Sequence, residues 1–172
     1  LQSDCRVSLV YSDAASIVAK EEADFVLPNN PLDAAKMLQD HFGVSSEQLR
    51  VYAKNDWFAP IASGSNAPDQ MVVCPCSMGT LAAIAHGLSD SLIERAADVA
   101  IKENKKLILV PRETPLSAIH LENMLKLAKL GVCILPPAPG FYQKPQTMDD
   151  LIHFVVARIL NQLNVQQSLV AP

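Results

Sequence analysis

The chain has 172 residues, enough for a sizeable core, and we predict a single domain over residues 1–172. Hydrophobic residues make up 49% of the chain and aromatic residues 5%, so the core must be aliphatic, as is typical of a parallel sheet covered by helices. The net charge of −4 argues against nucleic acid as a partner, because a phosphate backbone attracts an excess of Lys and Arg. The sequence contains no apolar run of transmembrane length, and we expect a cytoplasmic protein that does not enter a membrane.

The first half of the chain predicts two strands and two helices in an otherwise irregular segment. In chain order these are a strand over 6–11, a helix over 14–22, a helix over 33–41 and a strand over 49–52. Residues 24–70 are rich in Pro, Asn, Ser and Asp, which is typical of exposed loops.

The second half is more regular. It predicts a strand over 71–75, helices over 77–86 and 91–104, a strand over 106–110, a helix over 117–129, a strand over 132–135 and a last helix from 147 or 149 to about 163. Gly131 follows the predicted helix over 117–129 and suits the left-handed position at a helix end.

Short apolar strands that alternate with helices predict right-handed βαβ crossovers and an α/β fold. We expect three layers around a doubly wound parallel sheet. In such sheets ligands bind beyond the carboxyl ends of the strands. Polar or Pro-rich segments follow four predicted strands and mark this edge: residues 12–13, 76–80, 111–114 and 136–140.

The segment from Cys74 to Thr80 is the strongest local signal. Pro75 ends a strand, and small or hydroxyl residues then lead into a helix N-terminus, whose free amides suit an anion or a flavin edge. An ordinary helix cap without a ligand fits these residues equally well.

Four basic residues have both a functional and a structural interpretation. Arg112 follows a buried strand and could hold a phosphate, or it could pair with a carboxylate at a helix end. Arg158 lies in an apolar helix, where a solvent-facing position is the simpler interpretation. Arg95 and Lys102 are two turns apart on one helix, a spacing more typical of a solvated or interface face.

Other candidate groups are less informative. Glu22 ends a helix, where a carboxylate opposes the dipole and hints at a role. The four histidines form no hydrolytic triad pattern, and the four cysteines lack the spacing of a zinc site, so we expect no metal. Free thiols suit a reducing cytosol. Tyr142 ends a Pro-rich loop, where it could donate a hydrogen bond or simply pack.

Taken together, several long motifs in the same order resemble one family, the flavin prenyltransferases, formerly named polyprenyl-hydroxybenzoate carboxy-lyases or aromatic acid decarboxylases. The motifs are Asn-Asp-Trp at 55–57, Ala-Ser-Gly-Ser at 62–65, Cys-Pro-Cys-Ser-Met-Gly-Thr at 74–80, Leu-Ile-Glu-Arg at 92–95, Pro-Arg-Glu-Thr-Pro at 111–115, Ile-His-Leu-Glu-Asn-Met at 119–124 and Pro-Pro-Ala-Pro-Gly-Phe-Tyr at 136–142. They span nearly the whole chain. The resemblance implies a Rossmann-like or flavodoxin-like flavoprotein fold.

The resemblance also implies a role for particular residues. Those matching the FMN-binding positions are Ser12, Ser77, Met78, Gly79, Thr80 and Arg112. Those matching the positions that hold the phosphate of dimethylallyl monophosphate are Arg95, Lys102, Tyr142 and Arg158. Glu22 and Glu113 match acidic residues near the reacting flavin, and with Arg95 and Lys102 they are the predicted catalytic residues.

The implied reaction is a metal-independent alkyl transfer to reduced FMN at N5 and C6, which yields prenylated FMN. The family further implies a homo-oligomer, a dodecamer, and a decarboxylase that receives the product in ubiquinone or aromatic acid metabolism. Two rival functions share the fold and the cofactor. One is an FMN-dependent decarboxylase of the 3-polyprenyl-4-hydroxybenzoate type, and the other is a non-catalytic flavin carrier.

The sequence departs from the family pattern at both ends. The family begins with a strand and a Gly-rich loop that supplies a catalytic Ser, and this sequence starts after that loop. It also stops just short of a Trp that lies over the allyl group in the family. We therefore expect the working protein to be longer than these 172 residues.

Overall fold

The computed structural model describes residues 5–170, in which strands and helices alternate. The strands are β1 (Val7–Val10), β2 (Leu49–Tyr52), β3 (Gln70–Cys76), β4 (Lys106–Pro111) and β5 (Cys133–Ile134). The helices are α1 (Asp13–Ala23), α2 (Pro31–Phe42), α3 (Met78–Ala85), α4 (Leu92–Lys102), α5 (Ala118–Lys129) and α6 (Met148–Gln162). Two short 3₁₀ turns, Pro60–Ala62 and Gly64–Asn66, follow β2.

The chain divides into two compact units. The first contains the residues up to Ala67 together with Ser89–Val99, and the second contains Pro68–Leu88 and the residues from Ala100 onward. The prediction of a single domain stays a prediction.

The first unit is built on the parallel pair β1 and β2, in register from Val7 with Leu49 to Val10 with Tyr52. Helix α2 covers one face of this pair, where Ala34 and Leu38 pack against Leu49 and Val51. The helix ends at Gly43, whose φ of +63° is a left-handed conformation that glycine adopts without a Cβ penalty.

The second unit is built on the parallel sheet β3-β4-β5, with β4 at its centre. Ile108 and Val110 of β4 pack against Ile159 of α6. The alternate side chains of β4, Leu107 and Leu109, are buried on the opposite face, where α3 contacts β4 and α5 contacts both α3 and β5. Helices therefore cover both faces of the sheet, which gives the three layers of a doubly wound fold.

The predicted α/β fold with parallel strands is confirmed, since every described strand pair is parallel. Each predicted strand and helix is present to within a few residues. Gly131, with φ of +85°, follows the end of α5 as predicted.

Within residues 5–170, no helix is both long enough and apolar enough to cross a bilayer.

Candidate functional site

The turn between β3 and α3 carries the strongest predicted signal. Ser77 has an extended backbone and caps α3, and its Oγ accepts a hydrogen bond from the backbone amide of Thr80 at 3.1 Å. The Ser77 hydroxyl in turn donates to Thr80 Oγ1 at 3.0 Å. The two hydroxyls thus lie side by side at the helix N-terminus, where the peptide dipoles favour negative charge.

The backbone of the same turn remains open to a ligand. The backbone amides of Met78 and Gly79 lie in the first turn of α3, where the helix offers them no carbonyl to bond. Gly79 has no side chain, and the space that its Cβ would occupy is open, with Ser77 Oγ at 3.8 Å as the only atom found within 4 Å. A ligand can therefore approach these amides. Hydroxyls and free amides are the donors that a flavin edge or phosphate requires, and the residues present therefore fit FMN.

Arg112 lies beside this turn because β3 and β4 end together. Cys76 pairs with Pro111, and the Arg112 amide donates to the Cys76 carbonyl at 3.4 Å. The Arg112 side chain is exposed, and within residues 5–170 its guanidinium makes no hydrogen bond or salt bridge. The structure therefore brings Arg112 next to the Ser77 turn and leaves its charge available to a phosphate. Glu113 follows, also exposed, and its Oε1 accepts a bond from the Thr114 amide at 3.1 Å.

Tyr142 is held by two neighbours. Its ring packs edge-on against Phe154 of α6, with ring centroids 6.0 Å apart and an interplanar angle of 83°. A Cβ on Gly140 would lie 2.4 Å from Tyr142 Cε1 and 3.3 Å from Phe154 Cζ, so only glycine leaves room for this arrangement. The phenol itself is exposed.

Arg158 is one helical turn beyond Phe154, so both residues project from the same side of α6. Tyr142 packs on Phe154, so its ring lies on the side of α6 from which Arg158 also projects. In the part of the chain that the structure describes, the exposed Arg158 side chain has no carboxylate partner. A hollow of about 450 Å³ adjoins this cluster and is lined by Gly140, Phe154, Lys144, His153 and the Asp150 carboxylate, among others.

Lys102 lies at the end of α4. Its Nζ bonds Glu103 Oε1 at 2.5 Å, and this contact lowers the pKa of the Glu103 carboxyl below its ordinary value. The two side chains are 47% and 38% exposed, so solvent screens the pair and its contribution to stability is weak.

The first unit contains the other three predicted residues. Ser12 caps α1 directly after β1, and its Oγ accepts a bond from the Ala15 amide at 3.1 Å. Glu22 lies exposed in the last turn of α1. Arg95 is half-buried, and its Nε donates to the Ala62 carbonyl at 3.0 Å while Nη1 bonds Asp98 Oδ2 at 3.0 Å.

The two cysteines of β3 differ in burial. Cys74 is exposed, and a register irregularity between Val73 and Cys76 separates it from the end of the strand. Cys76 is buried, and this burial, with Cys74 as a smaller cause, raises the pKa of its thiol to about 12. Cys76 is therefore a structural residue and not a nucleophile. Within residues 5–170, no group of three or more His, Cys, Asp or Glu side chains could hold a metal ion.

Two features of the site were not foreseen from the sequence. The contact between Tyr142 and Phe154 joins residues twelve positions apart, and no local pattern announces it. The pairing of Arg95 with Asp98 follows the i,i+3 spacing of a helix and could have been read from the sequence.

The sequence matches the family model described as Flavoprotein over residues 1–160. It is 54% identical over 169 residues to the flavin prenyltransferase UbiX of Pseudomonas aeruginosa PAO1, covering 98% of this chain and 81% of that protein. The UbiX of Methanocaldococcus jannaschii is 45% identical over 169 residues, covering 98% of this chain and 84% of the relative.

Solved structures agree with these matches. A dodecameric FMN-dependent UbiX-like decarboxylase from Escherichia coli O157:H7 superposes with a TM-score of 0.85 at 41% identity, covering 98% of this chain and 84% of that one. AnUbiX, crystallised with FMN and dimethylallyl pyrophosphate, superposes with a TM-score of 0.83 at 41% identity, covering 96% of this chain and 80% of that one.

Proposed function

Because the chain belongs to the flavin prenyltransferase family of flavoproteins, we propose that it transfers a dimethylallyl group from dimethylallyl monophosphate to reduced FMN. The observation that carries the proposal is the arrangement around α6. Tyr142 is held against Phe154, and Arg158 projects from the same side of the helix without a carboxylate partner among residues 5–170. A phenol and an exposed guanidinium on one side of a helix are suited to a phosphate.

FMN is the cofactor of the family and, in this reaction, a substrate. We assign FMN binding to the β3–α3 turn, where Ser77 and Thr80 offer hydroxyls and Met78 and Gly79 offer backbone amides. Arg112 supplies a guanidinium beside that turn, and Ser12 offers a hydroxyl at the end of β1. A planar Arg fork can bond two oxygens of a phosphate or carbonyl at once.

The family resemblance assigns the phosphate of the donor to Arg95 of the first unit and to Lys102, Tyr142 and Arg158 of the second. Lys102 and Arg95 have carboxylate neighbours, Glu103 and Asp98, which a dianionic phosphate would have to displace. Arg158 needs no such exchange. These groups stabilise the negative charge that grows on the leaving phosphate, and this preorganised electrostatic stabilisation takes the place of a metal ion.

In the reaction, the allylic C–O bond breaks and inorganic phosphate leaves. Reduced FMN, when bound, would supply N5 and C6 as the atoms that bond to the five-carbon group, and each would lose its proton; one proton adds to the allylic double bond and the other is taken up by the leaving phosphate. Glu22 is our candidate for the proton transfer at N5. Its exposed carboxylate lies in the last turn of α1. Glu113, held to the Thr114 amide, is the second acidic residue near the flavin.

The assembly and the recipient of the product are further proposals. We expect a homo-oligomer, because a UbiX-like relative with a TM-score of 0.85 is dodecameric. We also expect a decarboxylase that takes up prenylated FMN, and a cytoplasmic location that keeps the free cysteines reduced.

The decarboxylase function has one specific observation in its favour, since the Escherichia coli O157:H7 relative is described as an FMN-dependent decarboxylase. Anaerobic incubation of the purified protein with reduced FMN and dimethylallyl monophosphate separates the alternatives. Mass spectrometry of the flavin should show the addition of one dimethylallyl group. A flavin of unchanged mass, with carbon dioxide released from an aromatic acid, would support the decarboxylase, and an unchanged flavin without turnover would support a carrier.

The donor is tested in the same experiment. Because AnUbiX was crystallised with dimethylallyl pyrophosphate, parallel reactions with the pyrophosphate show which donor the protein prefers. We predict faster transfer from the monophosphate.

A further inference from the structure

We propose that the exposed face of α5 is a two-fold contact between copies of this chain. The inference deepens the homo-oligomer of the proposed function by naming one surface on which it is built. Leu121 and Leu125 lie one turn apart on this face and are 52% and 56% exposed, and Leu130, just beyond the helix, is 58% exposed. A leucine row of this kind on a surface helix is suited to protein contact.

The opposite side of α5 already has its packing partners within the chain. Asn123, Met124 and Leu127 are buried, and the helix contacts α3 and β5. The exposed face is therefore a second interaction surface and not the one that attaches the helix to the sheet.

Charged residues flank the leucines on one side. Glu122, Lys126 and Lys129 follow the helical repeat, and with Leu125 and Leu130 they line a shallow hollow of about 360 Å³. Within residues 5–170 none of the three charged side chains forms a salt bridge, although Glu122 and Lys126 are spaced to do so. Their charges are left available to a second molecule.

A second copy complements this pattern. An antiparallel α5 helix, related by a two-fold axis that passes near residues 123 and 124, places Leu121 against Leu125 of the second copy. The rotation axis is perpendicular to both helices. Each flank of one helix therefore faces the same flank of the other, and Glu122 of one copy lies opposite Lys126 of the second copy. Both pairs occur twice, which is the self-complementarity that a two-fold interface requires.

The test uses mass measured by light scattering, with no flavin or donor present, so its outcome is independent of prenyl transfer. Leu125→Glu should lower the mass of the assembly at least two-fold while circular dichroism keeps the helix content. Glu122→Lys and Lys126→Glu should each lower the mass, and the double variant, with the same composition as the original chain, should restore it. A mixture of the two single variants should also recover, because each supplies the charge that the other lacks.

Three results would overturn the proposal. The original chain could be a monomer at micromolar concentration, or Leu125→Glu could leave its mass unchanged. Alternatively, Leu125→Glu could lower the mass while neither the double variant nor the mixture recovers it, in which case α5 would contact a different surface of the second copy.

Discussion

Ser77 and Thr80 are joined by two hydrogen bonds, one from the Thr80 amide to Ser77 Oγ at 3.1 Å and one from the Ser77 hydroxyl to Thr80 Oγ1 at 3.0 Å. Ser77 therefore caps α3 and at the same time fixes the hydroxyl pair that we assign to FMN. From the sequence alone, a helix cap and a ligand site were alternative roles for this turn. The two hydrogen bonds allow Ser77 to fill both roles.

The first prediction separates the two roles of Ser77. Ser77→Ala should lower the free energy of unfolding by about 1 kcal/mol, as loss of an N-cap does, and should also weaken FMN binding. Ser117→Ala is the matched control, since Ser117 caps α5 with its Oγ 3.2 Å from the His120 amide. The control should lose similar stability without a change in FMN affinity, as followed by flavin fluorescence. Equal FMN affinities for the two variants would contradict the assignment.

The second prediction concerns Arg112. Replacing its guanidinium with alanine should weaken FMN binding roughly 10- to 100-fold, because a hydrogen bond to a charged group is lost. Arg112→Lys should recover only part of this affinity, since an ammonium cannot bond two oxygens in one plane. Arg50→Ala, an exposed arginine of β2, is the control and should bind FMN normally. Isothermal titration measures all four proteins, and an unaffected Arg112→Ala would remove Arg112 from the site.

The third prediction tests the positioning of Tyr142. Gly140→Ala brings a methyl group to 2.4 Å from the Tyr142 ring, and the ring must move. We expect kcat/KM for the donor to fall roughly 10- to 100-fold, as for a displaced binding group, while FMN affinity is unchanged. Tyr142→Phe keeps the ring and removes the hydroxyl, and it should show a similar loss. If Gly140→Ala has full activity, the position of the Tyr142 ring does not matter to the reaction.

The fourth prediction concerns stability and pH. The amides of Gln146 and Thr147 donate to the Asp150 carboxylate and lower its pKa below the ordinary 3.8. The stabilisation is therefore fully present above pH 3.8 and is lost as the pH falls through the lower folded value. Asp150→Asn should lower Tm at neutral pH, and the difference from the original chain should shrink on acidification below pH 3.8.

Asp149→Asn is the control for this effect, because Asp149 lies in the same first turn of α6 and its side chain makes no hydrogen bond within residues 5–170. It should change Tm little. A constant Tm difference for Asp150→Asn down to pH 2 would show that the carboxylate is not what stabilises the turn.

Much of the fold could be predicted from sequence, because its signals are local. The apolar run of β4 and the glycine after α5 mark their elements by composition and chain position alone. The burial of β4 on both faces agrees with its uninterrupted hydrophobic pattern.

The site was less predictable, because its contacts join distant parts of the chain. Tyr142 was placed in a Pro-rich loop with no indication that its ring packs against Phe154. Arg158 was expected to face solvent, and its side chain is indeed exposed, but the sequence alone did not show that it shares a side of α6 with Phe154. The family resemblance predicted a role for both residues, but the contacts that they make depend on the path of the loop between β5 and α6. The periodicity of the sequence does not predict that path.

The most direct test of the whole account follows the carbon skeleton of the donor. Anaerobic reactions with deuterium-labelled dimethylallyl monophosphate and reduced FMN should give a flavin whose added mass includes the deuterium, together with one equivalent of inorganic phosphate. Arg158→Ala should bind FMN and stay yellow when oxidised, with kcat/KM for transfer lower by a factor on the order of 10²–10³. A flavin of unchanged mass from the original chain, or full transfer activity in Arg158→Ala, would contradict the account.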